Sequence, residues 1–317
     1  MNFTTLKYFL VAAEELNITK AASKLYISQQ ALSSHISKLE KELDVKLFNR
    51  APSLSLTQAG RRMVGYAQQA MTLDREIHQM ASDMNNDQLG ELRVGISHTC
   101  GRAILPSILP RFRRTHPLLE VKLTEETSSV MEESLKRGEL DLMIDFTTIE
   151  REGMVQEELA QERLFLVVPK VLLVEQFGDR LTEVKDLCDQ NLDIFLFKEF
   201  PFIFLRKGNR VRTVIDSYMD KIGFKPKIAL ETENIETAYE LASQGMGVTV
   251  YPELFLWCMP RPPLEERSVE FFPFRNPDTT GTLVIARMKD HYQTKAAEQF
   301  KKACHEGLKE VTARQIV

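Results

Sequence analysis

The sequence predicts an α/β chain of several domains, and three observations carry that expectation. Its 317 residues exceed what a single compact core usually serves, so two or three folding units are expected. The first sixty residues show helical spacing and one short, turn-bounded pair of alternating leucines. From Glu91 onward, short apolar runs alternate with helical stretches, the pattern of βα repetition.

Composition narrows the class. With 43% hydrophobic and 27% charged residues, the chain has enough apolar surface for real cores and excludes disorder on a large scale. No apolar run approaches the roughly 18 to 20 residues of a membrane span. "MNFTTLKYFLVAAEELN" lacks the cationic start of a signal peptide, so cytoplasmic residence without a membrane partner is expected. Cys100, Cys188, Cys258 and Cys304 form no C-x-x-C pair or zinc-like cluster, so buried free thiols, no metal and no cofactor are expected. The formal net charge is -4, yet residues 1–62 hold nine cations against five acids, a net +4. That asymmetry suits a small anion-binding domain joined to a larger one with another task.

Each N-terminal element follows from spacing. Leu6, Phe9, Leu10 and Ala13 recur at three- and four-residue steps and define one apolar helix face. Asn17 caps a second helix with Ile18, Ala21, Ala22 and Leu25 inside. Ser28 caps a third, whose buried stripe is Leu32, Ile36, Leu39 and Leu43. Gln30, Ser34, Ser37 and Lys41 lie opposite, with Ser33 beside them. Such a face suits a DNA major groove, where amides and hydroxyls read base edges and phosphates; a solvated helix face is the plainer alternative. Leu54 and Leu56 then alternate after Pro52 as a wing, and Thr57 caps a further helix.

That helix runs without proline to about Gln88. Met63, Tyr66, Ala70, Leu73, Ile77, Met80 and Met84 keep three-four spacing along it, a heptad seam. Spread over roughly 40 Å, the seam implies a partner helix and hence a homodimer, the alternative being packing on the chain's own domain.

Strand-like runs follow: "LRVGIS", "LEVKLTE", "LDLMIDF", "RLFLVVP", "DIFLFK", "PKIALET", "MGVTVYP" and "GTLVIARM". Helical patterns follow Arg102 and cover 130–136, 211–222 and 235–243, and a closing helix begins at Tyr292. Two α/β subdomains fit this length. "SHTCG" leaves the first strand and opens a helix, so Ser97, His98 and Thr99 could serve an anion or form an ordinary polar loop. Phe195, Phe197, Phe200, Phe202 and Phe204 read mostly as strand core, Cys100 as an inert thiol with a redox-sensing thiol near a helix start as the lesser alternative, and Gly245–Gly247 as a tight turn.

The blocks "AASKL", "SQQALSSHISKLE", "LFNR" and "LSLTQAG", in this order, closely resemble the N-terminal domain of LysR-type transcriptional regulators. The resemblance implies a winged helix-turn-helix DNA-binding domain over 1–58, a linker (dimerisation) helix over 59–88 and a two-lobed α/β effector-binding domain over 89–317, similar to periplasmic binding proteins. Lobe I would take about 90–163 and 268–317 and lobe II about 164–267, with crossovers near Arg163 and Arg267.

The implied partners are double-stranded promoter DNA, a small-molecule effector, a second copy in a dimer or dimer of dimers, and RNA polymerase for an activator. Carried over by residue, DNA contacts fall on Ser28, Gln29, Gln30, Ser33, Ser34, Ser37, Lys38 and Arg50. Effector contacts fall on Ser97, His98, Thr99, Thr127, Phe146, Phe202, Ile203, Thr232 and Val248. His98 and the helix-start N–H groups favour an anionic effector, against Glu125 and Glu126 beside Thr127. Departures from the family pattern are Gln30 where many members have Pro or Ser, Ser34 where a base is frequent, and a wing one residue short with Ser53 in place of a cation.

Two other functions compete. An enzyme tethered to a DNA-binding domain finds no G-x-S-x-G, G-x-G-x-x-G, P-loop or H-E-x-x-H pattern. An effector-free architectural DNA binder has no use for over two hundred residues of α/β structure.

Overall fold

The computed structural model describes residues 1–51, 53–84, 90–147, 151–258 and 268–313. Three short helices open the chain: α1 (Phe3–Glu15), α2 (Ile18–Lys24) and α3 (Gln29–Leu43). Their starts are set by side-chain caps. Asn17 Oδ1 accepts from Thr19 N and Lys20 N, and Ser28 Oγ accepts from Ala31 N at 3.1 Å. Leu6, Phe9, Ala21, Ala22, Leu32, Ile36 and Leu39 close a small core. Leu43, expected in that stripe, is exposed: it is the last helical residue before Asp44 turns left-handed, and Glu40 takes the buried place.

The wing is a minimal hairpin, β1 (Phe48–Asn49) antiparallel to β2 (Ser55–Leu56). Thr57 Oγ1 accepts from Gly60 N at 2.9 Å and so caps α4 (Gln58–Met84). Gly60 is required there, because a Cβ would stand 2.1 Å from Leu47 O. The last residues of the expected linker, up to Gln88, lie outside the described ones.

The larger part is built on a twisted sheet ordered β10-β6-β11-β5-β3-β4, with β9 also pairing with β6. Its first half contains β3 (Gly90–Ile96), α5 (His98–Thr115), β4 (Leu119–Glu125), α6 (Ser128–Lys136) and β5 (Leu142–Thr147). These strands are parallel, so the loops after β3, β4 and β5 share one edge of the sheet. Next comes β6 (Met154–Pro169), followed by α7 (Lys170–Phe177), α8 (Leu181–Gln190), β7 (Pro201–Leu205), α9 (Arg210–Ile222), β8 (Lys227–Thr232) and α10 (Ile235–Ser243). The chain then forms β9 (Thr249–Pro252), α11 (Glu253–Cys258), β10 (Val269–Pro273), β11 (Thr280–Met288) and α12 (Lys295–Ala313).

The strand β6 serves both halves. Residues 154–163 pair with β11, whereas 164–169 pair with β9 and β10. The first crossover therefore falls at Arg163. The second was expected at Arg267, which lies outside the described residues. Since β10 still pairs with the far half of β6, the return comes later, over 274–279.

"DIFLFK", expected as a strand, is instead a 3-10 turn over Ile194–Phe197. Asp193 Oδ1 accepts from Phe195 N at 3.0 Å, a local bond that competes with strand pairing. Phe197, Phe200, Phe202 and Phe204 are buried, and Phe195 is half exposed.

Candidate nucleic-acid interface and effector cleft

On α3 the apolar side is locked by α1 and α2, leaving Gln29, Gln30, Ser34, Ser37 and Lys38 exposed and Ser33 half-buried. Ser28 is occupied as the cap. Gln29 Oε1 accepts from Thr19 Oγ1 at 3.2 Å, which orients its amide, and Arg50 Nη2 donates to Ser37 Oγ at 3.2 Å. Thus the wing's arginine lies against the recognition face. Lys20 and Lys38 hold no ion pair among the described residues, whereas Lys24 is paired with Glu14 and Glu15.

Two residues here escaped the sequence reading. Tyr26 is 95% exposed with φ 55°, a bulky side chain held outward in the turn before Ser28. Glu40 is buried and ties α3 to the wing: Oε1 accepts from Leu47 N at 2.8 Å and Phe48 N at 3.2 Å, and Oε2 from Lys46 Nζ at 3.0 Å. Its spacing four residues after Ile36 was the available signal.

Along α4 the expected seam divides. Tyr66, Leu73, Ile77, Met80 and Met84 are exposed, an unusual run of large apolar side chains on one helix face. Met63 and Ala70 instead pack on the first core, because α1 lies against the start of α4. The other side of α4 docks on the sheet domain. Thr72 Oγ1 donates to Arg137 O at 3.0 Å, Arg75 Nη2 to Gly138 O, and Asp83 Oδ2 accepts from Tyr292 Oη and Lys295 N at 3.0 Å each.

Between the two halves of the sheet domain lies an open cavity of about 800 Å³. Ser97, His98, Thr99, Thr127 and Phe146 border it from the strand ends, as expected. The expected Phe202, Ile203, Thr232 and Val248 do not. Phe202, Ile203 and Val248 are fully buried within the second half, where β7 is covered by α9 and α10; Thr232 Oγ1 accepts from Asn234 N at 3.3 Å. That side of the cavity is formed by Asn209, Arg210, Ile235, Pro252 and Phe255, at the starts of helices that follow the strands.

Arg210 is the arginine of a lining that also holds the carboxylates Glu125, Glu126, Asp145 and Glu233. Its guanidinium sits 3.9 Å from the Phe146 ring centroid and donates to Glu162 Oε2, joining α9 to β6 and β5. Gly281 makes room: a Cβ there would stand 2.8 Å from Arg210 Nη1. Glu162 is 2% exposed; burial pushes its carboxyl up to about 7 against the pull of Arg210. A group with a raised folded value binds its proton in the folded state over the interval where the unfolded chain has lost it. Glu162 therefore supports the fold fully below the ordinary 4.5, and this support is lost as pH rises through about 7. We expect a downward stability slope across that window in thermal melts, absent in Glu162→Gln; an unchanged slope in the variant would assign it elsewhere. Cys100, beside the cavity, is pushed up to about 12, first by burial, and stays a neutral thiol.

A winged helix-turn-helix, an apolar linker helix and a clefted α/β domain define a ligand-responsive DNA-binding regulator. The family model described as bacterial regulatory helix-turn-helix protein, lysR family, matches residues 3–61, and the LysR substrate binding domain matches 85–309. The chain is 30% identical to the uncharacterized HTH-type transcriptional regulator YcgK of Bacillus subtilis, over 98% of this chain and 96% of that one. It is 26% identical to the hydrogen peroxide-inducible genes activator of Haemophilus influenzae, over 90% of each chain. The fold is similar to a full-length OxyR variant of Pseudomonas aeruginosa (TM-score 0.68, 23% identity, 98% of this chain and 95% of that chain) and to full-length CbnR complexed with its target DNA (0.63, 22%, 97% and 100%).

The chain belongs to the LysR family of transcriptional regulators. It is a DNA-binding regulator with an effector-binding domain, and not an enzyme. Among the described residues, no helix is long and apolar enough to cross a membrane.

Proposed function

We propose that this regulator reads double-stranded promoter DNA through Gln29, Gln30, Ser33 and Ser34 on α3, with Ser28, Ser37, Lys38 and Arg50 on the backbone. Residues 1–58 form the DNA-binding unit, 59–88 the linker and 89–317 the effector unit. Two copies join along Tyr66, Leu73, Ile77, Met80 and Met84, and dimers pair into tetramers. An anionic effector enters the cleft between Ser97, His98, Thr99, Thr127, Phe146 and Arg210, and its unequal affinity for two arrangements of the oligomer shifts DNA binding. The protein acts in the cytoplasm, and where it activates, RNA polymerase is its further partner.

The observation that carries this reading is the polar, exposed face of α3 opposite a side clamped by α1 and α2. Titration of promoter DNA upstream of its own gene, against random duplex, tests it. Gln29→Ala is expected to cost about 1–3 kcal/mol on the operator and little on random DNA. Arg50→Ala should weaken both and lower the salt slope by about 1. Equal losses on both duplexes for Gln29→Ala would remove that residue from base readout.

A further inference from the structure

Where α4 lies against the sheet domain, three buried N–H groups have no acceptor: Arg75 Nε, Arg287 Nε and Gln293 Nε2. They come from α4, the end of β11 and the segment before α12. All three residues border one void of about 20 Å³. Arg75 also borders a neighbouring cavity of about 570 Å³, whose walls come from α4 through His78 and Ser82 and from the sheet domain through His116 and Thr294. That cavity is separate from the cleft and has the size of an ordinary small-molecule pocket.

Most carboxylates nearby are already committed, and Glu76, which also borders the void, lies 3.9 Å from His291 Nδ1 and forms no ion pair with either arginine among the described residues. Asp141 accepts from Arg93 N at 2.8 Å and from Arg93 Nη2 at 2.5 Å, Glu91 is paired with Lys122, and Asp83 accepts from Tyr292 and Lys295. Neither Arg75 nor Arg287 has an ion pair among the described residues; their other bonds go to backbone carbonyls, Arg75 to Gly138 O and Arg287 Nη1 to Met288 O at 3.0 Å. Two guanidinium groups thus stand partly buried with no carboxylate in direct contact among the described residues, although Glu76 and Asp141 border the same void. Burial, then the like charge of Arg93, pull the Arg75 guanidinium below its usual value against the attraction of Asp141, Glu76 and Glu91.

A water in the small void offers two lone pairs and no charge, too little for three donors and two cations. An oxygen of a carboxylate or phosphate has the same size and brings the missing charge. We infer that this junction is a second ligand site, for a small organic acid or phosphate ester that places one oxyanion oxygen among Arg75, Arg287 and Gln293 and the rest of its body in the larger cavity. Because the donors come from both α4 and the sheet domain, the ligand recognises only their docked arrangement. Binding would hold the linker helix in place and so bias the regulator independently of the cleft.

Calorimetric titration of the full chain with inorganic phosphate and with succinate, in chloride-matched buffer, tests this. Saturable binding of at least one probe is expected, weakened by about tenfold or more in Arg75→Gln and in Arg287→Gln. Binding should persist in Arg210→Gln, which alters the cleft. Phosphate alone would indicate a phosphate ester, succinate alone a carboxylic acid. If circular dichroism shows Arg75→Gln unfolded, Arg75→Lys, which keeps the charge but lacks the Nε–H, takes its place with the same expected weakening. Absence of saturable heat with both probes, wild-type affinity in the Arg75 and Arg287 variants, or loss confined to Arg210→Gln would each overturn the site and leave the void to water.

Discussion

Ile77→Asp is expected to convert the oligomer to single chains and to abolish tight operator binding. Ile77 is half exposed on α4, in line with Leu73, Met80 and Met84. Packed against a partner helix, each such side chain would contribute about 1.5–3 kcal/mol by leaving water. In a two-fold dimer the substitution occurs twice, and each carboxylate would be drawn into an apolar seam with no partner, at a cost of several kcal/mol. The summed loss exceeds what a helix pair of three heptads readily absorbs. Light scattering should report the mass of one chain. Operator affinity should then drop toward that of one half-site, since two recognition helices no longer arrive together. His78→Asn, exposed on the same helix but about 100° around from Ile77, should remain oligomeric. A wild-type mass for Ile77→Asp would mean that copies associate elsewhere.

Glu40→Ala should unseat the wing and destabilise the DNA-binding unit by about 2–6 kcal/mol, because it strands two buried backbone N–H groups at about 1–3 kcal/mol each. Those groups belong to Leu47 and Phe48, whose side chains are buried in the same core. Burial opposes ionisation of Glu40, but the Leu47 N–H, the Lys46 ammonium and the Phe48 N–H outweigh it and hold its carboxyl below the ordinary 4.5. With a depressed folded value, its contribution is present above 4.5 and is lost as pH falls through the folded value. Urea melts followed by circular dichroism should show an acid-side decline in the wild type that Glu40→Gln lacks. Melts of Glu40→Ala that match the wild type at neutral pH would show that the wing does not depend on this carboxylate.

Much of the N-terminal unit was legible because its signals are local. Asn17, Ser28 and Thr57 cap within three residues of themselves, and the stripe of Leu32, Ile36 and Leu39 is read from one helix alone. The exceptions are the ends of that stripe: Leu43 is released by the left-handed Asp44, and Glu40, which spacing does put on that face, is held there by bonds to a hairpin that one helix alone cannot show. In the sheet domain, the loops after β3, β4 and β5 border one cavity because parallel strands send their ends to one edge, a placement readable from the strand order alone. The facing wall was not readable in this way. Whether Phe202, Ile203 and Val248 meet the cleft depends on how 164–169 pair with 249–252 and 269–273, contacts roughly eighty to a hundred residues apart that leave no period in the sequence. Arg210, an arginine at a helix start, reads as a solvated cation until Glu162 and Phe146 are brought beneath it.

The sixteen residues of β6 cross from one lobe to the other as one continuous strand, with its register shifted once at Leu159, and this restricts how those lobes can turn. Sliding would shear two ladders at once, so rotation about the strand is the soft coordinate. Glu162 and Arg163 sit at that pivot, one tied to α9 through Arg210 and the other to α11 through Glu253 at 2.5 Å. Their bonds act with almost no lever arm and so oppose that rotation little. What reaches the linker helix from an occupied cleft is then a sense of twist, and two ligands of equal affinity that turn the strand in opposite directions would give opposite transcriptional outcomes.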